Sequence, residues 1–152
     1  MHLYIEEIDL EELKEFTEQL DKATKDEHID IYISSTGGAV PVMEQYVRII
    51  NRLENPCTLF AFTIQSCAFD MYMKINKPKA FASDAYWLVH ATSWNVDMIS
   101  KTLAIWDCNK FKLSTREDLK PLHYLTPEEN ERYLNGDDVY LNRERLREIF
   151  WF

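Results

Sequence analysis

One stretch restricts the possible folds more than any other: HIDIYISSTGGAVPVMEQYVRIINRLENPCTLFAFTI, residues His28 to Ile64. It opens as a short β-branched run, which predicts a strand. It turns at Gly37 and Gly38, then repeats apolar Val42, Met43, Tyr46, Val47, Ile50 and Leu53 at helical spacing. It ends in CTLFAFTI, a nearly continuous apolar run that suits a parallel strand buried on both faces. Strand, glycine turn, helix and strand make one βαβ unit with a right-handed crossover. The whole chain holds only 3 glycines in 152 residues, where average usage of about 7% would give about ten. An adjacent pair in so sparing a sequence has a backbone reason. It makes a tight strand-to-helix turn, or it presents backbone N–H groups to an anion. It is not a phosphate fingerprint, since neither GxGxxG nor GxxxxGK[ST] occurs.

The flanks extend the same alternation. Leu10, Leu13, Phe16 and Leu20 mark one face of a helix that starts near Asp9, where Asp9 and Glu12 have capping-box spacing. FDMYMKIN predicts a short helix, KAFASDAYWLVHATS one or two strands, and VDMISKTLAIWDCNKFKL a longer helix with Ile99, Leu103 and Trp106 on one side. Thr126, Pro127 and Glu129 start a further helix with a capping box, and RERLREIFWF closes the chain as another. No repeat, low-complexity tract or linker interrupts, so we expect one α/β domain over residues 1–152.

Composition removes several classes of function. A formal charge of −9 argues against nucleic acid or an anionic membrane surface as partner. No apolar run approaches the ~20 residues of a membrane span, and the acidic opening MHLYIEEIDLEE is no secretory signal. Four histidines (His2, His28, His90, His123) and three cysteines (Cys57, Cys67, Cys108) lack metal-ligand spacing. We therefore expect no metal, no cofactor, no disulfide framework and a cytoplasmic setting.

The chemistry is sought where TIQSCAFDMYM leaves a strand for a helix, with Ala68 expected at the elbow. Such a turn leaves backbone N–H groups free; those of Phe69 and Gly38 could form a two-donor oxyanion hole. His90 ends the apolar run AYWLVH, and Asp138 lies in the turn NGDDVYLN. Taken singly, each has an ordinary structural explanation. Taken in order, the segments from about Tyr4 to about Ile149 resemble the Clp protease proteolytic subunit, ClpP, whose pattern runs S-P-G-G, G-Q-A-A-S-M-G-A, V-M-I-H and then an acidic turn. The resemblance implies a crotonase-like α/β fold with a repeated ββα head and a helical handle, here at about 94–125. It places Gly37 and Gly38 on the family's glycine pair and Gln65 on its glutamine. Ala68 falls on the nucleophilic serine, Phe69 on the second oxyanion donor, His90 on the general base and Asp138 on the acid that orients it. Asp137 and Asp97 compete for that last role. The intervals are 30 residues from Gly38 to Ala68, 22 to His90 and 48 to Asp138.

The departures are specific. Ala68 carries no reactive atom, and we read it as Ser-to-Ala inactivation of a serine endopeptidase; the alternative is a naturally inactive structural or regulatory subunit. Ser66 and Cys67 are not expected to substitute, since a one-residue shift turns the side chain away. Asp70 replaces a glycine and Thr36 the proline of S-P-G-G. The axial N-terminal segment, the glycine-rich handle strand after His90 and the closing segment after IFWF have no counterparts, which suits a compact, divergent, phage-encoded member. The resemblance further implies a homo-oligomer of heptameric rings, possible stacking into a tetradecamer, unfolded protein or peptide as substrate, and an AAA+ unfoldase as partner. A crotonase-type acyl-CoA enzyme is the more distant rival; Asp70 would be its carboxylate, but no basic cluster stands ready for the CoA phosphates.

Overall fold

The computed structural model describes residues 1–90 and 121–150. The chain forms two compact units, residues 1–88 with 140–152 and residues 89–139. The expected handle and its long helix, with Asp97 and Cys108, fall almost wholly outside the described residues.

The first unit is built on a sheet in the order β1-β2-β3-β4-β5. Its strands are β1 (His2–Ile5), β2 (Ile29–Ser35), β3 (Cys57–Gln65), β4 (Lys79–Val89) and β5 (Val139–Leu141). Between the first four strands run α1 (Leu10–Leu20), α2 (Val40–Arg52) and α3 (Cys67–Lys74). β1 to β4 pair in parallel, with Tyr4 opposite Tyr32, Tyr32 opposite Phe60 and Gln65 opposite Leu88. KAFASDAYWLV is thus one strand, with a register shift against β3 between Ala61 and Thr63.

This strand order explains a correction. Every crossover steps the same way along the sheet, so right-handed connections put all the crossover helices on one face. One face of the sheet is therefore buried and the other is not. Leu3, Ile5, Ile29, Ile31, Ile33, Leu59, Ala61, Ile64 and Trp87 lie under the helices with 5% exposure or less. The opposite face carries Tyr4 and Phe62, exposed, with Tyr32 and Phe60 half-buried. CTLFAFTI is therefore not buried on both faces; its aromatic residues form a stacked row. Tyr4, Tyr32 and Phe60 stack at 5.3 and 5.2 Å, and Tyr86 stacks on Tyr140 at 5.4 Å.

α1 starts as expected, with the Asp9 carboxylate accepting the Glu12 N–H at 2.8 Å. Leu13 and Phe16 are buried, but Leu10 is 67% exposed and does not join their face. The capping box is also incomplete, because the Glu12 side chain bypasses Asp9 and accepts the N–H groups of Glu6 and Glu7. In α2, Val42, Met43, Tyr46, Val47 and Ile50 are buried as the spacing predicts. Trp87 is the centre of an aromatic cluster, edge-on to Phe69, Tyr72, Phe81 and Phe150, and its indole N–H donates to the Phe62 carbonyl at 2.8 Å. Phe150 comes from the last helix, α5 (Arg143–Phe150). That residue of IFWF folds back on the chain's own core, while Trp151 and Phe152 lie outside the described residues.

The second unit contains α4 (Pro127–Asn135), whose capping box is complete: Thr126 Oγ1 accepts the Glu129 N–H and Glu129 Oε2 accepts the Thr126 N–H. Gly136 closes α4 at φ 87°, a left-handed cap that suits glycine.

Candidate functional site

The carboxyl ends of β1, β2 and β3 hold the Glu6–Asp9 segment, the glycine pair and the start of α3. Gly37 has φ 105°, a conformation L side chains rarely adopt. A Cβ there would also come within 2.7 Å of the Ser66 Cβ, so the glycine lets the turn after β2 lie against the end of β3. Gly38 is required by a different neighbour. A Cβ on it would overlap the Ile8 carbonyl oxygen, and Ile8 and Gly38 form a parallel bridge between the loop after β1 and the loop after β2. The tight turn expected of the pair is present.

The peptides around Gly38 are pinned. The Gly37 N–H donates to Ser35 Oγ at 3.2 Å, and Ser35 is the buried polar residue of β2. The Ala39 N–H donates to the Ile8 carbonyl at 2.8 Å. The Cys67 thiol donates to the Gly38 carbonyl at 3.4 Å. Burial pushes the Cys67 thiol above its usual range, which keeps it protonated as a donor and poor as a nucleophile. The bridge uses the Ala39 N–H and not that of Gly38, which belongs to the preceding peptide.

The elbow is two residues earlier than the sequence suggested. Ser66, with φ 55° and ψ −133°, is the only non-glycine residue with positive φ among the described residues, and α3 begins at Cys67. Ala68 is the second residue of that helix and is fully buried, at 0% exposure. The Phe69 N–H donates to the Ser66 carbonyl at 3.0 Å, closing the first turn, so an oxyanion there would be its second acceptor. The Ser66 N–H donates to the Leu88 carbonyl at 3.0 Å and carries the β3–β4 ladder to the elbow. Holding a serine in such a conformation costs on the order of 1–3 kcal/mol. We expect Ser66→Gly to raise the urea midpoint, by an increment worth about 1 kcal/mol after the extra freedom of an unfolded glycine is deducted. A lower midpoint would show that the Ser66 side chain contributes more than its backbone costs.

The first unit therefore brings together Gly37, Gly38, Ser66, Cys67, Ala68 and Phe69. His90 and Asp138 belong to the second unit. His90 is half-buried and follows Leu88 by two residues in the chain; Asp138 is exposed, and its backbone carbonyl accepts from Arg132 Nη2 at 2.8 Å. Asp137 is held at the α4 terminus by its N–H bond to the Arg132 carbonyl, at 2.9 Å. Among the described residues no group of three His, Cys, Asp or Glu side chains is arranged to hold a metal ion. Sequence reasoning did not find Ile8 as a neighbour of Gly38, or Glu12 as the acceptor for the Glu6 and Glu7 N–H groups. The signal available was the apolar Ile8 between acidic neighbours in EEIDLEE.

No family model and no curated protein matches the sequence. Solved structures do match. A ClpP1 N165D mutant from Listeria monocytogenes superposes with a TM-score of 0.64 at 16% identity, covering 97% of this chain and 86% of that one. The ClpP protease catalytic domain from Plasmodium falciparum gives 0.62 at 19% identity, covering 97% and 80%. The chain has the ClpP fold. A third match, a peptidase from Plasmodium falciparum, gives 0.62 at 14% identity over 97% of this chain. At these identities the likeness extends to the ClpP architecture, a parallel sheet backed by helices, and the chemistry has to be argued from the residues themselves.

Proposed function

We propose that this chain is a subunit of a ClpP-type serine endopeptidase that hydrolyses peptide bonds of unfolded proteins, silenced here by alanine at position 68. The observation that carries the reading is the packing of the Gly37–Gly38 turn onto the strand-to-helix turn that leads to Ala68. It provides a pinned backbone donor, the Gly38 N–H, beside the helix that would carry the nucleophile. In the serine-bearing form the hydroxyl oxygen at 68 attacks the scissile carbonyl and passes its proton to His90. The C–N bond then breaks as His90 returns the proton to the leaving amine, and water cleaves the acyl-enzyme by the same route. Asp138 orients the imidazole, and the N–H groups of Gly38 and Phe69 stabilise the oxyanion. The test is whether Ala68→Ser reacts with a fluorophosphonate and cleaves short peptides, with His90 required.

Two further features complete the proposal. The uncovered aromatic face is the kind of exposed apolar surface that marks an interface, which supports a homo-oligomer built as heptameric rings, alone or stacked. We expect light scattering coupled to size exclusion to give several times the 18.1 kDa of one chain at micromolar concentration. A single-chain mass would overturn the compartment. An AAA+ unfoldase as partner, a bacterial or phage-infected cytoplasm and one ClpP-like domain over residues 1–152, with its handle at about 94–125, belong to the same proposal. The alternative, a naturally inactive subunit, is favoured by Ala68 itself and predicts co-purification with a distinct, serine-bearing chain.

A further inference from the structure

We propose that Glu12 is a positioning residue for the oxyanion arm of this site, an inference that rests on the peptidase reading above. Between the end of β1 at Ile5 and the start of α1 at Leu10, four residues connect strand to helix. Three of them, Glu6, Glu7 and Asp9, are acidic, and Glu11 and Glu12 follow at once. Like charges so close repel, so a further carboxylate at position 12 needs a reason to be there. The structure provides one. Glu12 Oε1 accepts the Glu6 N–H and Oε2 accepts the Glu7 N–H, so both oxygens fasten consecutive backbone donors just past the strand. The Glu12 N–H is held in turn by Asp9 Oδ1. Ile8 lies between the two fastenings, with 1% exposure.

Ile8 is the residue that touches the site. Its carbonyl accepts the Ala39 N–H at 2.8 Å and sits where a Gly38 Cβ would be. The peptide bearing the Gly38 N–H thus lies between the Gly37 N–H, tied to Ser35, and the Ala39 N–H, tied to Ile8. If the loop after β1 is released, the second tie loosens and the Gly38 N–H loses its fixed aim. Removing an oxyanion donor costs about 10²–10³ in kcat; loosening its support costs a part of that. Because the contact forms only as charge develops, the loss appears in kcat and not in KM. Simple support of the helix start would lower stability and leave that ratio alone.

The experiment compares Ala68→Ser with Ala68→Ser carrying Glu12→Ala, at a temperature where circular dichroism shows both folded. We expect kcat for a short peptide to fall about 10-fold or more with KM within a factor of about 2. Hydrogen exchange at the Ala39 amide should quicken about 10-fold while the core amide of Ile31 is unchanged. Glu12→Gln keeps the length and one acceptor oxygen, and should fall between the two; it decides the matter if the alanine variant does not fold. Unchanged kcat with unchanged Ala39 exchange overturns the inference, and so does faster Ala39 exchange with unchanged kcat. An inert Ala68→Ser parent overturns the peptidase reading, and the positioning role with it. Ala39 exchange in Glu12→Ala of the chain as it stands still shows in that case whether the clamp exists.

Discussion

Ala68→Ser yields a chain that reacts with a fluorophosphonate and cleaves short unstructured peptides, and His90→Ala in that background abolishes both. The scaffold around the gap is the reason. The Gly38–Ala39 peptide is held by two bonds and the Thr36–Gly37 peptide by a third, and the α3 start is tied to β4 through Ser66 and Leu88. The substitution adds a single oxygen, since serine differs from alanine by that atom. A cost accompanies the gain. Ala68 is fully buried, so a hydroxyl there loses about 1–3 kcal/mol of hydration unless a partner accepts its proton. Ala68→Ser should therefore unfold at a lower urea concentration than the parent while gaining activity, the opposite of what a surface serine would do. Loss of the base from an assembled triad typically costs a factor on the order of 10⁴ or more, which a peptidase assay resolves easily. The peptidase reading fails if Ala68→Ser, in its assembled form, stays inert to both probe and peptides.

Trp87→Ala costs about 3–5 kcal/mol of folding free energy, the range for deleting a large aromatic side chain from a core. Trp87 has no exposed surface and meets Phe69, Tyr72, Phe81 and Phe150 edge-on, at 5.0–5.8 Å between ring centres. Its loss empties the space beneath α3 and strands the Phe62 carbonyl that accepted the indole N–H. Trp87→Phe keeps a ring and loses the bond, so it should cost less, about 1–2 kcal/mol. Urea unfolding followed by circular dichroism measures both. A cost below about 1 kcal/mol for the alanine variant would mean that the cluster is not the structural centre its geometry indicates.

How far the sequence could be read depended on how local the determinant was. Thr126 with Glu129 and the spacing of Val42, Met43, Tyr46, Val47 and Ile50 act within one helix, and the structure follows them closely. Glu12 looked like the partner of Asp9 in a local box, yet it serves backbone donors upstream that no spacing rule points to. An apolar run such as CTLFAFTI suggests burial on both faces, because it cannot reveal that every crossover helix falls on one side. The elbow moved from Ala68 to Ser66 for a similar reason. The residue that bends the chain is fixed by where β3 stops pairing with β4, and that register depends on the interruption between Ala61 and Thr63. The glycine pair was legible as a constraint, but its two neighbours, Ser66 and Ile8, come from opposite directions in the chain and appear only in three dimensions.

The order of the strands has a consequence for how the chain folds. Each of β2, β3 and β4 joins the sheet beside the strand made just before it, and none has to enter between two strands already paired. A chain emerging from the N-terminus can therefore lengthen its sheet one βα unit at a time, each unit offering the next an open edge. The contact between Ile8 and Gly38 needs only the segments up to α2, so it can form before the strand leading to His90 has been made. The turn that carries the glycine pair can thus be set before the residues of the second unit exist, and later strands are added to an edge that it has already helped to fix.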